Sequence, residues 1–333
     1  MISQGQGETM ARLQCFALTC LLAAVLPAMA SAQNCGLREF ASIDLLSNED
    51  GMPIVEMQIG GRTVHLLVDT GGVYSSINSD VADALRVSQH DIANGMEVYG
   101  AGGERYKTYI EAPDFKLGAI ALDKFPMMVA HHALTGAGVD GTLAPDFLSR
   151  FEVDFDFGAH KLNFFAPDHC PGKVVYWSKA YVEIPFKIDA ITHVAVPMTL
   201  DGHQTVATID TGANLTTLSD AMARSVFGLS ETSPGMEAIP SAKPDDLFQY
   251  RYRFKTLSLD GLAVNNPLVY ILPDAAEKAF RHNHDAKMDI DAIYGQHLSG
   301  PELVLGTNVL SKLHLFISYK EKVLYLTAAD AHQ

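Results

Sequence analysis

At 333 residues, with 48% hydrophobic and 19% charged side chains, the chain has the composition of a globular protein long enough for two domains with cores of their own. Its 39 acidic against 24 basic residues give a net charge of -15, which speaks against a surface that binds nucleic acid by releasing counterions. No nucleic-acid partner is expected.

Residues 1–32 read as a signal peptide. Arg12 precedes the apolar run Cys15 to Leu26, and the small residues from Ala28 to Ala32 offer a cleavage site before Gln33. Met10 is an alternative start, because the residues before it add nothing that a signal needs. The run is short for a membrane span, although a retained anchor is the other way to read it. No later stretch is long and apolar enough to cross a bilayer. The expectation is an exported protein, periplasmic or secreted, with no membrane contact once the signal is removed. Cys35 and Cys170 then remain, and an oxidising compartment permits one disulfide between them, two separate thiols being the alternative. Cys170 beside His169 is a poor thiol nucleophile, since chain neighbours seldom present their side chains to one another.

After a tail at 33–52, the chain contains the same pattern twice. Val55, Met57 and Ile59 alternate along a strand that turns at Gly60-Gly61 and returns into Asp69-Thr70-Gly71-Gly72. Val196, Met198 and Leu200 do the same, turning at Asp201-Gly202 and returning into Asp210-Thr211-Gly212-Ala213. Gly-Gly and Asp-Gly between alternating runs are hairpin signals, because these residues accept the positive φ of a primed turn. Each hairpin delivers an aspartate at the end of an apolar strand. Short helices are expected at Asp80–Leu85 and Asp220–Phe227, capped by Ser79 and Ser219.

In the first copy Met96 to Tyr109 reads as a hairpin with a glycine-rich tip, Gly100-Ala101-Gly102-Gly103. No helix start or Gly-Lys-Ser/Thr follows it, so it is a mobile loop rather than a phosphate cradle. The counterpart, Ala238 to Phe254, carries Pro240 and Pro244 instead of glycines. Hairpins turning at Leu117-Gly118 and Asp260-Gly261 come next. Both copies close alike: Gly141 to Leu148 leads into strands at Phe151–Phe157 and Lys161–Phe165, and Leu303 to Leu310 into strands at Leu313–Tyr319 and Lys322–Leu326. Such a repeat is too long for a solenoid and predicts two homologous lobes, 53–165 and 181–328, joined by a linker at 166–180. The second lobe holds an insertion at 273–301, with a helix expected over Asp274–His284.

The paired Asp-Thr-Gly triplets, the downstream Ser75 and Thr216, and the apolar closing segments resemble the retropepsin-like aspartic proteases in an exported, single-chain form. The resemblance runs from about Pro53 to Thr327 and implies an all-β fold of two lobes about a pseudo-twofold axis, with a cleft between them. It implies that Asp69 and Asp210 are catalytic, that Thr70 and Thr211 bond across the lobes, and that Gly71 and Gly212 leave room for substrate backbone. Gly100 to Gly103 would close over a peptide or protein substrate as a flap. Two adjacent carboxylates share one proton, so one acts as base and the other as acid on a bound water, with no cofactor and no metal. Gly72 and Ala213 lack the hydroxyl that pepsin-like enzymes place there, and a less acidic pH optimum follows. Ala144, where the second lobe has Gly306, is expected to crowd the pair, and the tail is too short for a pepsin-style inhibitory prosegment. Because both aspartates lie in one chain, a monomer suffices.

Three other readings compete. Asp69 and Asp210 as mere turn residues fails on the repetition of their whole context. A catalytically silent peptide-binding protein of the same fold is the main alternative. A metal hydrolase is not supported: His282, His284 and the nearby Asp285, Asp289 and Asp291 lack zinc or calcium-loop spacing.

Overall fold

The computed structural model describes residues 36–93, 98–99, 105–131, 138–188, 193–239, 249–273 and 303–330. The expected flap tip, the insertion helix, Cys35 and the signal lie outside the described residues. What is described is built almost wholly of strands in three large sheets: one for each lobe and one shared.

The first lobe's sheet begins with strands Pro53–Ile59 and Arg62–Val68, paired so that Ile59 meets Arg62 across the turn. Gly60 and Gly61 both take positive φ, as do Asp201 and Gly202 in the matching hairpin of Val194–Leu200 with His203–Ile209. This is the primed geometry that the two dipeptides predict. Strand Gly141–Leu143 then inserts parallel to Arg62–Val68 and antiparallel to Ser76–Asn78. In the second lobe Leu303–Leu305 inserts in the same way between His203–Ile209 and Thr217–Ser219. The segment after each aspartate is thereby looped around a strand that arrives much later in sequence. Strands Thr108–Leu117 and Ile120–Ala130 pair over most of their length, while their counterpart is broken into Thr256–Leu259, Leu262–Asn265 and Leu268–Leu272, with Asn266 at positive φ and Pro267 interrupting the ladder. Val98–Tyr99 pairs with Arg105–Tyr106, so both legs of the expected flap hairpin are present.

The helices differ from expectation at the cap of the first and at the end of the second, which stops at Ser225 rather than Phe227. The first spans Ser79–Leu85, and Asn78, not Ser79, stands at its cap without a capping side-chain bond, because the Asn78 amide donates to Val139 O at 2.8 Å instead. The second, Asp220–Ser225, is capped as expected: Met222 N donates to Ser219 Oγ at 3.1 Å.

The shared sheet has six strands in the order Glu39–Asp44, Lys161–Phe165, Glu152–Asp156, Leu313–Ser318, Val323–Ala328 and Val182–Pro185. Its central pairing, Val153 opposite Ile317 through Asp156 opposite His314, joins the lobes directly. Every residue of Glu152–Asp156 and Leu313–Ser318 is buried, so the polar ones need partners. His314 Nε2 lies 2.7 Å from Asp154 Oδ1, and Trp177 stacks on its imidazole at 4.0 Å. His169 sits between Glu152 and Glu321, each 3.3 Å away. His169, Val174 and Trp177 all belong to the segment between the repeats, which is therefore strapped to the sheet by buried groups.

Phe147, in the short helix Pro145–Leu148, links the first lobe's core to this sheet through rings of Phe115, Phe125, Phe151 and Phe164 at 5.2–6.0 Å. It is fully buried. Phe147→Ala is expected to cost about 3–5 kcal/mol of unfolding free energy, read from the midpoint of a denaturant titration. A loss under about 1 kcal/mol would show that this cluster does not hold the lobe together.

Candidate active site

Each aspartate is placed by a ladder that runs one residue past its strand. Asp69 N donates to Leu143 O at 2.9 Å, and Asp210 N donates to Leu305 O at 3.1 Å. The last three residues of each leading strand, Leu66 to Val68 and Ala207 to Ile209, are buried, so the chain leaves the sheet at a fixed point and the acidic side chain follows the core directly.

Thr70 and Thr211 join the two turns. Thr70 Oγ1 donates to Ile209 O at 2.8 Å and accepts from Thr211 N at 3.0 Å. Reciprocally, Thr211 Oγ1 donates to Val68 O at 2.6 Å and accepts from Thr70 N at 3.1 Å. Both threonines are fully buried, and each hydroxyl finds its partners only in the other lobe.

This grip brings the carboxyls together, each lying against the glycine of the other lobe's turn. Gly71 N donates to Asp69 Oδ1 at 3.0 Å, while Gly212 N and Ala213 N donate to Asp210 Oδ1 at 2.9 and 3.1 Å. A side chain at Gly71 would overlap the Asp210 carboxyl, and one at Gly212 would overlap that of Asp69. The glycines are therefore required by the close approach of the opposite lobe's acid. Burial pushes Asp69 up to about 7, helped by the charge of Asp210 and opposed by the Gly71 amide, His193 and the Gly72 amide. Asp210 is also raised by burial, opposed first by His193 and then by the Gly212 amide, the hydrogen bond from Asp69 and the Ala213 amide. Two carboxyls in this setting hold a proton between them at pH values where free carboxyls hold none.

Behind each turn stands a second matched set, in which the motif residues Ser75 and Thr216 meet partners, Asp146 and Asn308, that the motifs did not single out. Ser75 donates to Asp146 Oδ1 through both N and Oγ, at 3.0 and 2.7 Å, and its Oγ accepts from Ala144 N at 3.0 Å. Thr216 donates to Asn308 Oδ1 through N and Oγ1, at 2.8 and 2.7 Å, and accepts from Gly306 N at 3.1 Å. The signal was present in the closing segments, where Asp146-Phe147-Leu148 repeats as Asn308-Val309-Leu310. The expected crowding by Ala144 is relieved, because Gly72 faces it: only with a side chain there would a carbon lie 3.3 Å from Ala144 Cβ. The second lobe has Ala213 and Gly306, where a side chain at position 306 would run into backbone, 2.4 Å from Leu215 O and 2.8 Å from Ala213 O.

Among the described residues no group of three or more His, Cys, Asp or Glu is arranged to hold a metal ion. None of their helices is long and apolar enough to cross a membrane.

Two β lobes joined by a shared sheet, with an Asp-Thr-Gly turn from each meeting at a buried pair of carboxyls, define the retropepsin- and pepsin-like class of aspartic protease folds. The family model described as "Aspartyl protease" matches residues 55–147 and 196–309, one match for each repeat, and the chain belongs to that family. No curated protein matches it in sequence. Among solved structures it is similar to the basic 7S globulin from soybean (TM-score 0.52, 11% identity, covering 90% of this chain and 100% of that one). It is similar also to conglutin gamma, a basic 7S globulin from lupine seeds (0.50, 10%, 88% and 95%), and to an aspartic proteinase from Irpex lacteus (0.50, 14%, 87% and 97%). At these identities the likeness concerns the fold alone, and that fold carries both proteins described as globulins and one described as a proteinase.

Asp146 offers a test of the support behind the dyad. Burial pushes its carboxyl up to about 6 despite the Ser75 hydrogen bonds. A raised folded-state value means that stability is whole at low pH and is lost as pH rises through about 6. Asp146→Asn, which copies Asn308, keeps an acceptor for Ser75 and removes the charge. It is expected to raise unfolding free energy at pH 8 by on the order of 1–2 kcal/mol and to leave it unchanged near pH 4, measured by thermal melts at the two pH values. Equal effects at both would disprove the burial cost.

Proposed function

We propose that this protein is an aspartic endopeptidase that hydrolyses peptide bonds in peptides or unfolded proteins, in the cleft above Asp69 and Asp210. The observation that carries the reading is the meeting of two buried carboxyls, each lying where only the opposite lobe's glycine leaves space and held there by the cross-bonded threonines. With one proton between them, the ionised member takes a proton from a water as it attacks the peptide carbonyl carbon, and the protonated member gives its proton to the carbonyl oxygen. The resulting diol collapses as the leaving nitrogen is protonated, and no covalent enzyme intermediate forms. The apolar run Cys15 to Leu26, with the small residues after it, supports export, and in an oxidising compartment Cys35 and Cys170 would form one disulfide. A silent peptide-binding protein of the same fold is the second reading, favoured by the likeness to seed globulins.

Incubating the purified protein with a peptide library across about pH 3–8, with fragments read by mass spectrometry, tests the proposal. Cleavage is expected to fall as pH rises through about 7, where Asp69 gives up the shared proton and the pair no longer contains an acid. Asp69→Asn should reduce the rate at least about 10²-fold, and a chelator should leave it unchanged. Peptide capture without turnover by a folded wild type would select the binding reading.

A further inference from the structure

The two lobes differ at one position beside the dyad. In the first lobe Ile54 stands opposite Leu67, and continuing that antiparallel register by two residues sets Met52 opposite Asp69. In the second Ala195 stands opposite Thr208, and the same continuation sets His193 opposite Asp210. Opposed residues of an antiparallel pair put their side chains on one face with Cβ atoms about 4.5–5.5 Å apart. The alternation agrees: Val194, Val196, Met198 and Leu200 are buried in the lobe core, leaving His193 and Ala195 on the face that Thr208 shares. In the first lobe this face is an apolar cluster of Met52, Ile54, Leu67 and Val139. In the second the matching positions are His193, Ala195 and Thr208. The imidazole Nδ1 is enclosed, and the ring is near enough to both aspartates for a charge on it to favour their ionised forms.

From this placement we infer that His193 is an electrostatic positioning residue of the dyad, its imidazolium, across the strand pair from Asp210, favouring the state in which the two carboxyls hold one proton rather than two. The catalytic meaning of this rests on the aspartic-protease reading, whereas the coupling is a property of three side chains and holds without it. Among the described residues, the charges coupled to His193 are those of Asp69 and Asp210; Lys187, opposite Ala195 on the outer paired strand, is exposed. A cation beside the pair eases loss of its first proton, so the competent state is reached at lower pH. The polar face of the second lobe thus lowers the acid limb of activity, against the burial that raises both carboxyls.

The test is a carboxyl-carbon NMR titration of the intact protein, labelled at aspartate, in wild type, His193→Met and His193→Arg, with Asp69→Asn and Asp210→Asn assigning the signals. Peptide cleavage is profiled against pH in parallel. In His193→Met, which copies Met52, the first ionisation of the dyad should move up by about one pH unit or more, and the acid limb of kcat/KM should follow it. His193→Arg, with its permanent charge, should restore a first ionisation at or below the wild-type value. A His193→Met titration that superimposes on wild type overturns the inference, even where activity is lost uniformly. If the wild type cleaves nothing while the carboxyl titration shifts as stated, the protease reading fails and the coupling stands. Should His193→Met not fold, the imidazole titration of His193 in wild type and in the Asp69→Asn, Asp210→Asn double variant decides. Coupling is reciprocal, so its midpoint must fall when the charge of the pair is removed, and an unchanged midpoint overturns the inference.

Discussion

Thr70 and Thr211 each bury a hydroxyl whose donor and acceptor partners all lie in the opposite lobe. A buried hydroxyl without partners costs roughly 1–3 kcal/mol, so neither turn is at ease until the other has docked. The constraint is geometric as well as energetic. Four hydrogen bonds between two backbone turns fix their separation closely, and the aspartates, one residue earlier in each turn, inherit that spacing. The shared six-stranded sheet holds the lobes to each other from beneath, through the pairing of Glu152–Asp156 with Leu313–Ser318. The grip at the top and the sheet below together make the cleft floor a rigid object.

Rigidity explains why the site tolerates its own electrostatics. Both carboxyls are pushed toward their neutral forms by burial, and two like charges in contact would relax apart in a softer frame. Here each is tied by the turn's own amides and by the neighbour across the axis. The support is symmetric in shape but not in charge. Ser75 donates to a carboxylate, Asp146, where Thr216 donates to an amide, Asn308, and Met52 stands where the other lobe has His193. Two lobes of common pattern thus offer unlike surroundings to two like acids, which suits a reaction in which one must act as base while the other acts as acid.

Small residues around the turns show the same complementarity in packing. Gly72 faces the Ala144 methyl in one lobe, while in the other Gly306 lies against the backbone of Leu215 and Ala213, so each lobe keeps a glycine where its own turn closes most tightly. The strap through His169, Cys170 and Trp177 shows that the segment between the repeats is a packed part of the shared sheet, since its histidine and its tryptophan are both buried there.

Much of this was legible in the sequence because the repeat writes it twice. Strict alternation at Val55–Ile59 and Val196–Leu200, with turn residues that accept positive φ, determines the hairpins locally, and identical Asp-Thr-Gly triplets at their ends mark the place where the chain leaves each sheet. Other features depend on residues far apart in the chain. That Asn78 spends its amide on Val139 rather than on the helix it precedes, that Asp146 and Asn308 anchor the turns, and that Ala144 is accommodated by Gly72 are all consequences of strands arriving more than sixty positions later and inserting beside earlier ones. The sequence by itself determined the two hairpins, the two aspartates and the pairing of lobes, since those follow from period and turn chemistry within a few residues. Only the tertiary structure decided what surrounds the aspartates, because burial, charge and hydrogen bonding at the dyad are set by the meeting of two lobes that local pattern does not encode.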